Sequence, residues 1–179
     1  MLDQSQTLEV LNDFGRTVVR QAKNTLRRKK KLASKALDKS LKFETKASKN
    51  SFEFDLYAED YWVFVDYGVK GVGGTKADGK KWEKKSVTNS KFKYRDKKPP
   101  IMAFNGWTIR KGIAPRSSGG QFTKRKGLLH AIATSVYHTG LETTSFLSKP
   151  FAKEFKELPD DIIEAYSLDV DQFIEFSIL

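Results

Sequence analysis

The chain has no cysteine, and only two histidines and five prolines among its 179 residues. Without cysteine there is no disulfide framework and no thiolate to act as nucleophile or metal ligand. The first residues, Met1-Leu2-Asp3-Gln4-Ser5-Gln6, form neither a basic nor an apolar leader segment, and no apolar run approaches the roughly 20 residues that span a bilayer. The expectation is a protein made in a reducing cytoplasm without a membrane partner. His130 and His138 stand eight positions apart with only Glu142 nearby as a carboxylate, too few groups for a zinc-type centre. Both are expected to be surface or cap residues, and neither a metal nor another cofactor is expected.

These absences also narrow the chemistry. A nucleophilic triad is nearly excluded, which leaves metal-dependent nuclease chemistry built on carboxylates and lysine. Glu83-Lys84-Lys85 has the acidic-x-lysine spacing, with Asp66 or Asp78 as the upstream carboxylate. In a segment so rich in lysine that spacing arises readily by chance, so an enzyme is not expected.

What the sequence does have is charge. With 39% apolar and 12% aromatic residues the chain can bury one respectable core, so residues 1–179 are expected to form a single domain. Its net charge of +11 is strongly partitioned: −3 over residues 1–14, +11 over 15–50, −5 over 51–69, +14 over 70–127 and −6 over 128–179. Basic blocks alternating with acidic ones suit a protein that touches nucleic acid with one surface and meets copies of itself through complementary surfaces. A generally solvated, lysine-rich surface accounts for the same counts.

Read in order, the periodicities predict an α+β fold. Asp3 and Gln6 make a capping pair, and Leu8, Leu11, Val18, Val19, Ala22 and Leu26 recur at helical spacing, giving a long amphipathic first helix. Its end is very basic, through Arg27, Arg28, Lys29, Lys30 and Lys31. From Leu41 the period becomes two. Leu41, Phe43 and Thr45, then Phe52, Phe54 and Leu56, alternate with charged residues around a turn at 47–50, which predicts an antiparallel hairpin with one buried face.

Glu59 and Asp60 precede Tyr61-Trp62-Val63-Phe64-Val65-Asp66-Tyr67-Gly68, read as a short, nearly enclosed helix that Gly68 ends. Residues 69–98 are irregular and glycine- and lysine-rich, expected as an extended basic arm or loop. Gly71, Gly73 and Gly74 look like a phosphate loop but lack its Gly-Lys-Ser/Thr ending. Pro99-Pro100 should open a helix with Ile101, Phe104, Trp107 and Thr108 inward, finished by Gly112. Residues 113–127 read as a mobile basic loop. Leu128, Leu129, Ile132 and Val136 mark a core helix ended by Gly140. Residues 150–176 form a C-terminal helical region with an acidic polar face that includes Asp160, Asp161, Glu164 and Asp169.

The order of these elements resembles the phage tail-completion or neck family, minor tail proteins of the head-tail junction. Leu37, Ser40 and Leu41 match the family's first element, although Lys35 replaces its glycine. Tyr61, Val65, Asp66 and Gly68 match the second, with Trp62 in place of alanine, and Phe146-Leu147 after Ser145 match the third. The motifs are short and degenerate but span most of the chain. The resemblance implies a structural virion protein, assembled in the host cytoplasm into a ring of its own copies at the head-tail junction. Its neighbours would be portal or adaptor proteins or tail-tube-end proteins, and non-specific duplex DNA would pass through the lumen.

On that reading Arg27, Arg28, Lys29, Lys30 and Lys31, with Lys124, Arg125 and Lys126, face DNA or a partner, and Trp82, Phe92 and Tyr94 anchor the arm to a neighbouring subunit. The same aromatic and basic pattern allows stacking and phosphate contact instead. A non-viral basic nucleic-acid-binding protein is therefore the alternative, and a metal-dependent nuclease the next.

Overall fold

A computed structural model describes residues 4–29, 35–48 and 51–178, with the side chains of 176–178 excepted. The first helix, α1, runs Ser5–Arg28 and buries Leu11, Phe14, Val18, Ala22 and Leu26, the stripe its periodicity requires. Gly15 lies on the same stripe for a steric reason: a Cβ there would sit 2.4 Å from the Phe43 ring. Glycine thus lets the following hairpin lie directly on the helix.

That hairpin pairs β1 (Lys42–Ser48) with β2 (Ser51–Tyr57), placing Phe43 opposite Leu56, Thr45 opposite Phe54 and Ala47 opposite Phe52. The alternating faces are those the sequence predicts, although Ala47 and Ser48, expected in the turn, belong to β1. Phe14 meets Phe54 edge-on at 5.1 Å and Phe151 at 5.4 Å, and Phe43 stacks on Phe54 at 6.0 Å. Before the hairpin, α2 (Ala36–Ser40) buries Leu37; the Ser40 hydroxyl donates to the Leu37 carbonyl at 3.2 Å and accepts the Glu59 N–H at 3.0 Å. The C-terminal region expected over 150–176 is two helices, Ser148–Glu154 and Leu158–Ile178, and both pack here with Phe146 and Leu147 fully or almost fully buried at their entry.

The N-terminus of α1 departs from expectation. Asp3 lies outside the described residues, and Gln4 makes no side-chain cap. The cap comes instead from Asp169, 162 residues from Thr7: its carboxylate accepts the Gln6 N–H at 3.1 Å, the Thr7 N–H at 3.0 Å and the Thr7 hydroxyl at 2.7 Å. A carboxylate there satisfies orphan amides and sits at the positive end of the helix dipole. Only 1% exposed, Asp169 is not part of the acidic face read from the sequence.

Where composition leads to the expectation of one domain, contacts sort the chain into two units whose sequences interleave. The first unit, just described, comprises residues up to Lys29, Ala36–Glu59 and Phe146 onward; the second is Asp60–Ser145 together with the segment ending at Lys35. Because the chain leaves the first unit and returns to it, no single linker marks the division in the sequence.

In the second unit, α3 (Trp62–Tyr67) leads into β3 (Val69–Lys70). A 3₁₀ turn at Ile101–Phe104 then runs into α4 (Asn105–Arg110), followed by α5 (Arg125–Thr139) and β4 (Gly140–Leu141), which is antiparallel to β3. The remaining helices, both in the first unit, are α6 (Ser148–Glu154) and α7 (Leu158–Ile178). Helix α3 is not enclosed as expected: Tyr61, Phe64 and Tyr67 are 41%, 42% and 38% exposed, while Asp66 is completely buried. Six residues make fewer than two turns, so only one face can be covered. That face is claimed by backbone bonding: Thr144 and Ser145 donate N–H groups to the Asp66 carbonyl at 3.0 and 2.9 Å, and the Thr144 hydroxyl donates to the Val65 carbonyl at 2.6 Å.

Residues 69–98 are likewise no free arm. Lys70 bridges Lys93 in parallel, Val72 and Gly73 donate to the carbonyls of Tyr137 and His138 at 3.0 and 2.9 Å, and Lys85 donates to Thr139 at 2.8 Å. The approach is so close that a Cβ on Gly71 would be 2.3 Å from the His138 carbonyl, and one on Gly140, at φ +86°, 2.4 Å from that of Val69. Side chains are excluded from this seam, which is why glycines line it. The helix over 125–139 and its termination at Gly140 match the sequence reading, as do half-buried Ile101, Phe104 and Trp107 with buried Thr108. Among the described residues, no helix is long and apolar enough to cross a membrane.

Candidate nucleic-acid interface

Residues 60–145 contain 17 Lys and Arg against 6 Asp and Glu, a net of +11, and the rest of the chain contains 16 of each and is neutral. These residues form most of the second unit, which by sequence carries 20 Lys and Arg against 6 Asp and Glu, a net of +14, while the first carries 13 against 16, a net of −3. The alternating blocks seen along the sequence resolve, once the chain is folded, into one nearly neutral, slightly acidic unit, the neutral unit, and one strongly basic one.

Two features of the basic unit share one backbone pattern. In residues 74–82, Lys76 donates to Lys80, Gly79 to Lys76 and Trp82 to Gly74; in residues 115–123, Ser117 donates to Gln121, Gly120 to Ser117 and Thr123 to Pro115. Thr75 bridges Lys81 in the first as Arg116 bridges Phe122 in the second. Gly79 and Gly120 sit at φ +80° and +78°, the left-handed position that closes each turn. Every one of these bonds repeats 41 residues later, so the two are twin tight hairpins. The segment expected as a mobile loop over 113–127 is therefore a hydrogen-bonded hairpin followed by the first turn of α5.

The twins differ in what they present. In the first, the indole of Trp82 stacks on the His138 ring at 5.1 Å and 4°, with the Lys76 ammonium 4.9 Å above it. In the second, the adjacent register position carries the aromatic, so Phe122 points outward and is 68% exposed, with the Arg116 guanidinium 4.2 Å over its ring. Arg116 also donates to the Gly120 carbonyl at 3.0 Å, which holds it across the turn.

The three expected anchors do fasten residues 69–98, but to their own unit. Besides Trp82 on His138, Phe92 meets Phe64 edge-on at 4.8 Å and Tyr94 lies 6.0 Å from Tyr137. Burial pushes the Tyr94 phenol above its usual range. His138 is correspondingly no plain surface residue: it is half-buried, with Nδ1 2.5 Å from the Gly73 carbonyl, whereas His130 is exposed. Phe64, Phe92, Tyr94 and Tyr61 form the aromatic wall of an open 610 Å³ cleft with Lys91, Lys93 and Arg95 around it.

Lys124, Arg125 and Lys126 stand at the start of α5, where no acidic residue offsets them. Three cations at the positive end of a helix dipole are unfavourable by a few tenths to about 1 kcal/mol each, a repulsion that any anion relieves. Arg125 is held by Thr108 Oγ1 at 3.3 Å, and Lys124 and Lys126 are exposed. Of the other basic group, Arg27, Arg28 and Lys29 belong to the neutral unit: Arg27 pairs with Asp38 at 3.1 Å, Arg28 is exposed and Lys29 is half-buried, while Lys30 and Lys31 lie outside the described residues.

Of the motif residues, Leu37, Leu41, Asp66, Gly68, Phe146 and Leu147 are buried, Ser40 and Val65 are half-buried, and Tyr61 is exposed. Sequence reasoning missed Arg116 and Phe122; the signal was present in Gly119-Gly120, a turn pair flanked by a cation and an aromatic. Asp66, Asp78 and Glu83 do not form a three-carboxylate cluster: among the described residues no group of three or more His, Asp or Glu could hold a metal ion. Asp78 instead accepts the Lys80 N–H at 3.1 Å within its turn. Compared with family models, curated proteins and solved structures, the chain matches none of them.

Proposed function

We propose that the chain is a structural protein of a tailed-phage virion, a neck or tail-completion protein, assembled in the host cytoplasm into a ring at the head-tail junction. In that ring the basic unit lines the path of the DNA, and portal or adaptor and tail-tube-end proteins are the neighbours. The observation that carries the reading is the segregation of charge, with all of the net +11 in residues 60–145. A passage for DNA must attract phosphates without reading bases, because a good base contact of about 1–3 kcal/mol would hold the genome at particular sequences. Lysine, a compact charge on a flexible stem, suits that role, and 13 of the 17 cations in the segment are lysine.

The test is binding to several unrelated duplexes across a salt series. Weak binding indifferent to sequence and lost toward physiological salt is expected. Replacing Lys124, Arg125 and Lys126 with glutamine should lower the salt slope by about 2–3 if each neutralises one phosphate. Strong preference for one duplex at high salt sinks the reading.

A second reading, a cellular nucleic-acid-binding protein, is favoured by the aromatic cleft bordered by Lys91, Lys93 and Arg95, whose composition suits unpaired bases. Tighter binding of single strands than of duplexes, abolished by Phe64→Ala, would select it.

A further inference from the structure

Phe122 is hard to account for within its own chain. Its twin hairpin places Lys81 at the same outward position and turns Trp82 inward onto His138. The second hairpin instead exposes 68% of a phenylalanine on a fully hydrogen-bonded turn, with the Arg116 guanidinium 4.2 Å over its ring. The neutral unit carries the complementary shape. Between α1, α6 and α7 runs an open groove of about 480 Å³ with Phe14, Leu158 and Leu168 among its apolar lining. Glu9, Glu157, Asp161 and Glu164 border it, and none of these four has an ion pair among the described residues.

We infer that this groove receives the Phe122 hairpin of a second copy of the chain, the ring of phenylalanine entering the apolar floor and the Arg116 guanidinium meeting the carboxylates, which leaves Lys124, Arg125 and Lys126 to the DNA. The argument is charge complementarity together with an exposed apolar residue on each side. Burying Phe122 removes apolar surface from water, and the acidic rim selects a hairpin that carries a cation over a neutral one. Groove and hairpin are different surfaces, so the contact is head-to-tail and propagates from copy to copy until it closes into a ring or continues as a filament. The inference deepens the ring reading by naming its seam.

Mixing variants tests it. Phe122→Asp removes the apolar contact and places a carboxylate against the acidic rim, while E9K/E164K reverses two exposed charges on the groove. Both are surface changes, and thermal unfolding should verify that each folds. Sedimentation across a protein-concentration series at low salt should give species larger than a dimer for the parent and monomer for either variant alone. The two variants mixed should form a one-to-one dimer and nothing larger, because the pair retains one intact hairpin and one intact groove. A parent that stays monomeric, or a mixture that does not dimerise, overturns the inference. Variants that assemble as the parent does also overturn it, and they leave a ring sealed by other surfaces standing.

Discussion

The two units are held together by different forces. Of the 14 buried apolar side chains among the described residues, 11 belong to the neutral unit and only Val69, Leu129 and Ala133 to the basic one. The neutral unit is a hydrocarbon core of phenylalanine and leucine between helices and a hairpin. The basic unit is a lattice of backbone hydrogen bonds drawn tight at glycines, with aromatic rings stacked around it. Burial is non-directional and tolerates salt, whereas residues 60–145 of the basic unit carry 17 cations in 86 positions and must hold them against their own repulsion. A chain that has to present charge keeps its hydrocarbon elsewhere.

The largest expected effect tests that division directly. Phe146, completely buried in the neutral unit, should cost roughly 3–5 kcal/mol of stability when replaced by alanine. Phe64→Ala in the basic unit should cost only about 1 kcal/mol, because that ring is 42% exposed and its main partner is Phe92. Equal shifts in denaturation midpoint for the two would erase the distinction.

Next in size is Gly140→Ala. It places a Cβ 2.4 Å from the Val69 carbonyl at a φ of +86°, for which about 1–3 kcal/mol of strain is expected. The comparison predicts where the damage falls. Hydrogen exchange should quicken at the Lys70, Val72 and Gly73 amides and stay unchanged along α1; acceleration spread evenly over both units would contradict it.

A smaller effect, about 1–2 kcal/mol, is expected from Asp169→Ala, which removes the cap of α1 and strands the Thr7 hydroxyl in a buried place. Here the neutral unit turns out to depend on one charge. Its signature is local fraying at Gln6 and Thr7, and an unfolding midpoint equal to the parent's would show that water replaces the carboxylate.

These residues also mark how far the sequence could be read. Phe43, Phe52, Phe54 and Leu56 marked the hairpin's inward face because a period of two sends alternate side chains to one side, and Gly68 and Gly140 announced their helix ends because left-handed backbone favours glycine. Asp169 was invisible, since it stands among solvated acidic neighbours and its partner is 162 residues away. Phe64 misled because an apolar string in a short helix says nothing of how many faces the fold can cover. The pinning of residues 69–98 was hidden for a third reason: main-chain bonds such as those joining Lys70 to Phe92 and Tyr94 leave no mark on side-chain chemistry. Of the candidate interface, the quantity of charge was legible, but its concentration in one unit required knowing that residues 146–179 return to join residues 1–29 and 36–59.

The smallest expected effect separates the units by their response to acid. Glu154 of the neutral unit is held below the usual carboxylate range, first by the Lys153 ammonium at 3.0 Å and then by the Gln21 amide at 2.9 Å. A carboxyl whose folded pKa is depressed contributes stability that is full above its unfolded value, about 4.3, and is lost as pH falls through the lower folded value. Because the Lys153 side chain is 74% exposed, solvent screens the pair and the contribution should stay within the few tenths of a kcal/mol typical of surface pairs. Glu154→Gln keeps the shape and removes the titration. Its stability deficit should therefore be present at neutral pH and shrink below pH ~4, where the parent's carboxylate protonates as well. A deficit that grew on acidification would reverse the sign and place the dominant influence on Glu154 with burial rather than with Lys153.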